Sequence, residues 1–297
     1  MKRAAATPRF LLSVRSLSGS ALVTRDRSIE LLTRFREPET LAVTISKALD
    51  AGMDGVLANP TPLLKSALSE LKRRVPVYAV LPALTEHERN ELAPGIESVL
   101  ARAHASNGIA NGARRTFGGV LKPALIYGGD WVARMRLMIE TEAAPIPRRD
   151  LAGVVLDAWL TDLALATGHR KLFESFCRTV RRMPAAAGFE TQNLGTLLAR
   201  LREWKIQPDL VVGPINPRGL LMKPTPEEAL EELARAESPV IAKDLRAGGA
   251  VTLEEGARYA FERKAWGVAP DLSELEDVGA EMKRLKKLTP EKEVKPA

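Results

Sequence analysis

Apolar positions along the chain follow two alternating rhythms. Short, nearly unbroken apolar runs recur as DGVLAN (54–59), VPVYAVL (75–81), AGVVLDAW (152–159), AAAGFET (185–191), PDLVVGPI (208–215), SPVIAKDL (238–245) and AWGVAP (265–270). Runs of this length and continuity predict strands with both faces covered. Between them lie helical stripes: Leu41, Ile45, Ala48 and Leu49; Leu64, Ala67, Leu68 and Leu71; Leu172, Phe173, Phe176, Cys177 and Val180; Leu194, Leu197, Leu198, Leu201 and Trp204. Their three- and four-residue spacing puts each set on one face of a helix.

The punctuation agrees with this alternation. Pro38 stands at a first helical position, where its missing N–H costs little, and Gly52 closes that helix. Thr61-Pro62 opens the next, and Thr225 with Glu228 and Thr252 with Glu255 have capping-box spacing. A last helix is predicted from Leu275 to about Leu288, and residues 289–297 read as a disordered tail.

Seven strand–helix units follow from these signals, and RFLLSV (9–14) supplies an eighth strand. The first 25 residues hold several arginines and no acid, which is also the composition of a transit peptide; the strand reading is preferred. Eight such units predict an α/β (β/α)₈ TIM barrel over residues 1–288, with an open doubly wound sheet as the alternative. The rhythm breaks over residues 82–150, where a Gly-, Asn- and Arg-rich loop, Pro123 and a helical face of Trp131, Met135, Met138 and Ile139 precede Pro145 and Pro147. This stretch is read as an enlarged connection after the third strand, a lid over the site.

Composition narrows the function classes. The 297 residues are 45% hydrophobic and only 5% aromatic, which suits a helix-covered α/β core. A lone cysteine, Cys177, excludes an internal disulfide and a multi-cysteine zinc site, is consistent with a cytoplasmic protein, and sits on an apolar helix face as a core residue. No apolar run reaches the roughly 20 residues of a membrane span. The net charge of +7 is scattered, and Lys72-Arg73-Arg74, Lys283-Arg284 and Lys286-Lys287 lie where cations complement helix C-termini. Neither a nucleic-acid nor a membrane partner is expected, and the oligomeric state is left open. His87, His104 and His169 lack ligand spacing, so no metal is expected, although carboxylates leave room for magnesium. There is no GxGxxG after a strand, no GxxxxGK[ST] and no GxSxG.

A barrel places its site at the C-terminal strand ends. The residues there are Asn59, Asp157, Glu190, Thr191, Asn193, Asn216, Lys243, Asp244 and Asp271. Asp157 and Glu190 each end an apolar run, where a carboxylate is costly unless paired or wet, and Lys243 is a natural partner. Asp157, Glu190 and Lys243 are therefore the catalytic candidates. Asn59, Thr191, Asn193, Asn216, Arg218, Asp244 and Arg246 are the substrate-contact candidates. Asn59 before Pro60, Asn216 in GPINPRG and Asn193 ahead of its helix also have simpler roles as turn or cap residues. Lys243 reads as an ion-pair or anion-anchoring lysine ahead of a Schiff-base lysine, since adjacent carboxylates favour its charged form. Lys122 is a second candidate amine, and Arg218, Lys223 and Arg246 point to an anionic substrate.

The stretch GFETQNLGTLLARLREWKIQPDLVVGPINP resembles the fifth strand, fifth helix and sixth strand of the aldo-keto reductases. PVIAKDLRAGGAVT resembles that family's seventh-strand pattern, and AWGVAPDLSELEDVG its closing strand and helix; the likeness covers about residues 185–280. It implies the barrel fold and, in the intact family, an Asp, Tyr, Lys and His set with a nicotinamide cofactor. Here LANP stands where the catalytic tyrosine is due, VYAVLPA lacks the lysine, VVLDAW offers Asp157 for the histidine, and Lys243 replaces the tyrosine that stacks on nicotinamide. The leading expectation is therefore non-redox lyase or isomerase chemistry on an anionic carbonyl compound, with no cofactor favoured. A divergent NADPH-dependent reductase and a non-catalytic metabolite- or partner-binding barrel are the alternatives.

Overall fold

The computed structural model describes residues 7–19, 23–83 and 139–288. Eight strands lie in chain order in one sheet: β1 (Leu11–Ser13), β2 (Gly55–Ala58), β3 (Val77–Leu81), β4 (Leu151–Leu156), β5 (Ala186–Glu190), β6 (Leu210–Pro214), β7 (Val240–Lys243) and β8 (Gly267–Val268). All seven neighbouring pairs are parallel. Bridges from Phe10 to Val268 and from Ser13 to Asp271 bring the first strand against the last, so the sheet closes as a (β/α)₈ barrel. RFLLSV is thus the first strand, and the open-sheet alternative is removed.

The helices cover the outside: α1 (Arg25–Arg34) and α2 (Pro38–Asp50) before β2, α3 (Pro62–Glu70) before β3, α4 (Ala158–Ala166) and α5 (Arg170–Val180) before β5, α6 (Leu194–Trp204), α7 (Pro226–Ala234), α8 (Leu253–Glu262) and α9 (Val278–Lys287). Helices α1 and α4 carried no clear stripe in the sequence. Only Leu31 of α1 is buried, whereas α4 is apolar nearly all round and shows no helical period. None of the described helices is long and apolar enough to cross a membrane.

Strand alternation divides the core in two. Leu11, Leu57, Tyr78, Val80, Val155, Leu210, Val212, Ile241 and Ala269 pack inside the barrel. Leu12, Val56, Val154, Leu156, Phe189 and Ala242 face outward into the helical layer. There Phe173 of α5 packs its ring 5.0 Å from Phe189 and 5.3 Å from Trp204. The interior leaves no room for a side chain at Gly153, where a methyl group would stand 2.5 Å from the Tyr78 ring.

Several boundaries differ from the sequence reading. The last helix starts at Val278, not Leu275, because a 3₁₀ turn over Leu272–Glu274, capped by Asp271, comes first. β8 keeps two residues of its apolar run. Thr225 accepts from the Glu228 N–H but lacks the reciprocal bond, while Thr252 and Glu255 form the complete box. Of the enlarged connection, Ile139 is buried in the core, and Lys122, Trp131, Met135 and Met138 lie outside the described residues, as do His87, His104 and residues 289–297.

Candidate functional site

The period-two alternation that fills the barrel continues past its apolar layer. Two residues beyond an inward-facing position stand Ser13 on β1, Asn59 after β2, Asp157 after β4, Glu190 on β5, Lys243 on β7 and Asp271 after β8. The C-terminal mouth is therefore lined with polar side chains by strand geometry alone. Asp157 and Glu190 are each 1% exposed and Asn59 is 3% exposed. Carboxylates this deep need partners.

Their main partner is Arg15. It leaves β1 on a short 3₁₀ turn, Arg15–Ser18, and its side chain is 5% exposed. Its Nη2 donates to Asp157 Oδ2 at 2.5 Å, its Nη1 pairs with Glu190 Oε2, and its Nε donates to Asn59 Oδ1 at 3.3 Å. One guanidinium thus joins the ends of β2, β4 and β5, the fork geometry that suits arginine to carboxylates. Asn59 is fixed in turn: its Nδ2 donates to the Val80 carbonyl at 3.0 Å, and the Ser18 hydroxyl donates to its Oδ1 at 2.7 Å. Asp157 also caps α4 by accepting from the Trp159 N–H at 3.0 Å.

Lys243 approaches from β7, two strands from Glu190 on β5. Its Nζ donates to Glu190 Oε1 at 2.7 Å and lies 3.8 Å from Asp244 Oδ2. Glu190 is held between two cations, one on each oxygen. Burial lowers the Lys243 pKa and nearby Arg15 adds to that, outweighing the opposing pull of Asp244, Asp157 and Asp162. Asp162 on α4 accepts from the Thr191 hydroxyl and, at 3.0 Å, from the Gln192 N–H, yet burial raises its carboxyl. Arg15, Asp157, Asp162, Glu190, Gln192 and Lys243, with Trp159 and Leu163, line one cavity of about 400 Å³.

A second, smaller cavity of about 150 Å³ lies alongside, between the loops after β7 and β8 and the start of α1. Asp244, Asp271 and Glu274 line it, with Arg27 and Arg246. Glu274 accepts from the backbone N–H groups of Arg246 and Asp271, both at 3.0 Å, and burial with Asp244 nearby pushes its carboxyl up to about 7. Asp244 sits at φ 53, a left-handed backbone conformation, at the sharp turn where β7 ends.

The three catalytic candidates thus share one cavity; the substrate-contact candidates are dispersed. Asn59 braces Arg15, and Thr191 holds Asp162. Asn193 stands at the N-cap of α6 without a side-chain cap bond, and Asn216 closes a turn with both its amide groups on Leu220. Arg218 is exposed, and Arg246 faces the smaller cavity, where its guanidinium donates to the carbonyls of Glu274 and Val251. The positive charge expected to gather around an anion does not line the main cavity beyond Arg15 and Lys243. Sequence reasoning missed Arg15 and Asp162. Arg15 carried a signal, a charge just past the apolar run of β1, whereas Asp162 lies inside an apolar helical stretch.

A nicotinamide dinucleotide fits the described residues poorly. Its phosphates need free cationic or backbone donors, but three carboxylates line the smaller cavity. Arg27 donates to Ser273 O and Leu275 O, at 3.4 and 3.2 Å. Among the described residues, no group of three or more His, Cys, Asp or Glu side chains is placed to hold a metal ion.

No family model matches the chain, and no curated protein matches it in sequence. Solved structures share its backbone. Two structures described as a putative aldo-keto reductase from Pseudomonas aeruginosa are 13% identical to it, with TM-scores of 0.54 and 0.53, covering 92% of this chain and 90% of theirs. A structure described as an aldolase is 15% identical, covers 85% of this chain and 92% of its own, and has a TM-score of 0.45, too low to carry an argument. At these identities the likeness establishes the architecture: this chain has the (β/α)₈ barrel fold of the aldo-keto reductase-like structures.

Proposed function

We propose that this chain is a barrel enzyme for non-redox lyase or isomerase chemistry on a small carbonyl compound. One observation carries the reading: Asp157, Glu190 and Lys243, from three different strands, line a single cavity at the C-terminal mouth. Lys243 holds and polarises the carbonyl oxygen, and Asp157 or Glu190 moves a proton at the neighbouring carbon. Arg15 pairs with both carboxylates and holds them in place. Proton transfer of this kind needs no hydride carrier, in keeping with the poor fit to a dinucleotide. The convergence on one cavity also speaks against a non-catalytic barrel, which has no need of three buried ionisable groups around one space. The anionic character of the substrate has the least support, because Arg15 and Lys243 are already paired and Arg246 faces elsewhere.

The test is solvent deuterium exchange at the carbon next to the carbonyl, followed by NMR with glyceraldehyde, hydroxyacetone and pyruvate as probes. The wild-type protein is expected to accelerate exchange of at least one probe, and Asp157→Asn, Glu190→Gln and Lys243→Ala to abolish it. Exchange that is absent with every probe, or unaltered in all three variants, overturns the reading.

A further inference from the structure

We propose that Lys243 acts as a nucleophile, forming a Schiff base with an aldehyde or ketone that carries a removable proton on the neighbouring carbon. The inference rests on the reading of the main cavity as a carbonyl site and goes beyond it, from polarising the carbonyl to bonding with it. The geometry has three parts. First, Lys243 stands on a strand rather than a loop, at an inward-facing position, with its side chain 15% exposed and lining the cavity. Second, its proton has a destination. Nζ is 2.7 Å from Glu190 Oε1, so the ammonium–carboxylate pair can become an amine and a carboxylic acid with no change in net charge. Burial and the Arg15 guanidinium both favour the amine, the two means by which a protein activates a lysine. Third, a counter-charge waits for the product. Asp244 Oδ2 lies 3.8 Å from Nζ, buried and without a hydrogen-bond donor of its own, on a residue held in a left-handed backbone conformation.

The steps balance. The amine lone pair bonds to the carbonyl carbon while the Glu190 carboxyl gives its proton to the carbonyl oxygen. The nitrogen returns a proton to Glu190, and the carbinolamine hydroxyl takes it up and leaves as water. Carbonyl compound, amine and one proton thus yield an iminium and one water. Asp157 or Asp162, both lining the cavity, then takes the proton from the neighbouring carbon, and the released electron pair neutralises the iminium as an enamine. A cavity of about 400 Å³ suits a substrate of a few carbons joined to the lysine.

The experiment is reductive trapping on the full chain. The protein is incubated with glyceraldehyde or pyruvate and cyanoborohydride, digested, and each lysine's adduct followed by mass spectrometry between pH 6 and 9. The exposed Lys65, Lys171 and Lys205 serve as references in the same digest, so the outcome does not depend on any variant folding. Each pH unit by which a lysine pKa is lowered gives about tenfold more free amine at neutral pH. Lys243 is therefore expected to label faster than the references at pH 7, and its labelling rate to level off at a lower pH than theirs. Labelling of Lys243 no faster than the references with both probes overturns the inference. If exchange beside the carbonyl persists in that case, the proposed function stands and only the covalent step falls; if exchange is absent too, both fall.

Discussion

Replacing Arg15 with methionine tests the electrostatic frame of the site. The guanidinium contacts Asp157 at 2.5 Å and Glu190 on its far oxygen, and each carboxylate is 1% exposed. Methionine keeps most of the apolar volume and removes the charge. Glu190 retains Lys243, so the larger loss falls on Asp157, whose carboxylate also caps α4 through the Trp159 N–H. Stranding one member of a buried ion pair costs about 3–5 kcal/mol. At roughly 2–4 °C per kcal/mol for a chain somewhat smaller than this one, the melting temperature should fall by about 6–20 °C. Urea denaturation gives the free energy directly. Adding Asp157→Asn to Arg15→Met removes the stranded charge and should recover about 2 kcal/mol, although Asp157→Asn alone is destabilising; that sign reversal is the coupling a double-mutant cycle reads. A loss below about 1 kcal/mol for Arg15→Met, the scale of a surface pair, with no reversal would show that the cluster is solvated and that Arg15 does not hold it together.

Glu274 predicts a pH dependence elsewhere in the mouth. Its folded pKa of about 7 exceeds the ordinary 4.5, so between those values the folded state binds a proton that the unfolded state has lost, and stability falls as pH rises through that window. The contribution is at most about 3 kcal/mol, and Glu274→Gln should flatten that part of a stability-versus-pH curve. Gly153→Ala drives a methyl group into the Tyr78 ring at 2.5 Å and should cost about 1–3 kcal/mol; a loss under about 0.5 kcal/mol would show that the ring gives way. Burial pushes the Cys177 thiol up to about 12, so a thiol reagent should modify it only when the protein unfolds, with a rate that tracks denaturant; rapid reaction in native buffer would place it at the surface.

The sequence made the barrel legible because parallel strands covered on both faces leave continuous apolar runs, and six of the eight described strands retain at least four residues of theirs. The connections were harder to read. β8 shrank to two residues because only Gly267 and Val268 find a ladder against Ile241 and Ala242. α4 escaped notice because an apolar helix between a barrel and its neighbours shows no period.

The site was legible in part, for the same geometric reason. A charged residue two positions past an inward-facing apolar one must either point into the mouth or disrupt the strand, and that condition picked out Asp157, Glu190 and Lys243 together. Arg15 does not meet that condition, since the polar Ser13 stands two positions before it, and a turn of 3₁₀ helix rather than a strand end carries it inward. Its signal was masked because the first 25 residues, with several arginines and no acid, also have the composition of a transit peptide. What sequence could not supply was the balance among these groups. From spacing alone, carboxylates beside Lys243 imply a lysine held firmly in its charged form. In the folded chain Arg15 claims both Asp157 and Glu190, so the carboxylate nearest the lysine is already shared with another cation. Burial above all, with the arginine missed in the sequence adding to it, turns Lys243 from a plain ion-pair partner into a candidate nucleophile.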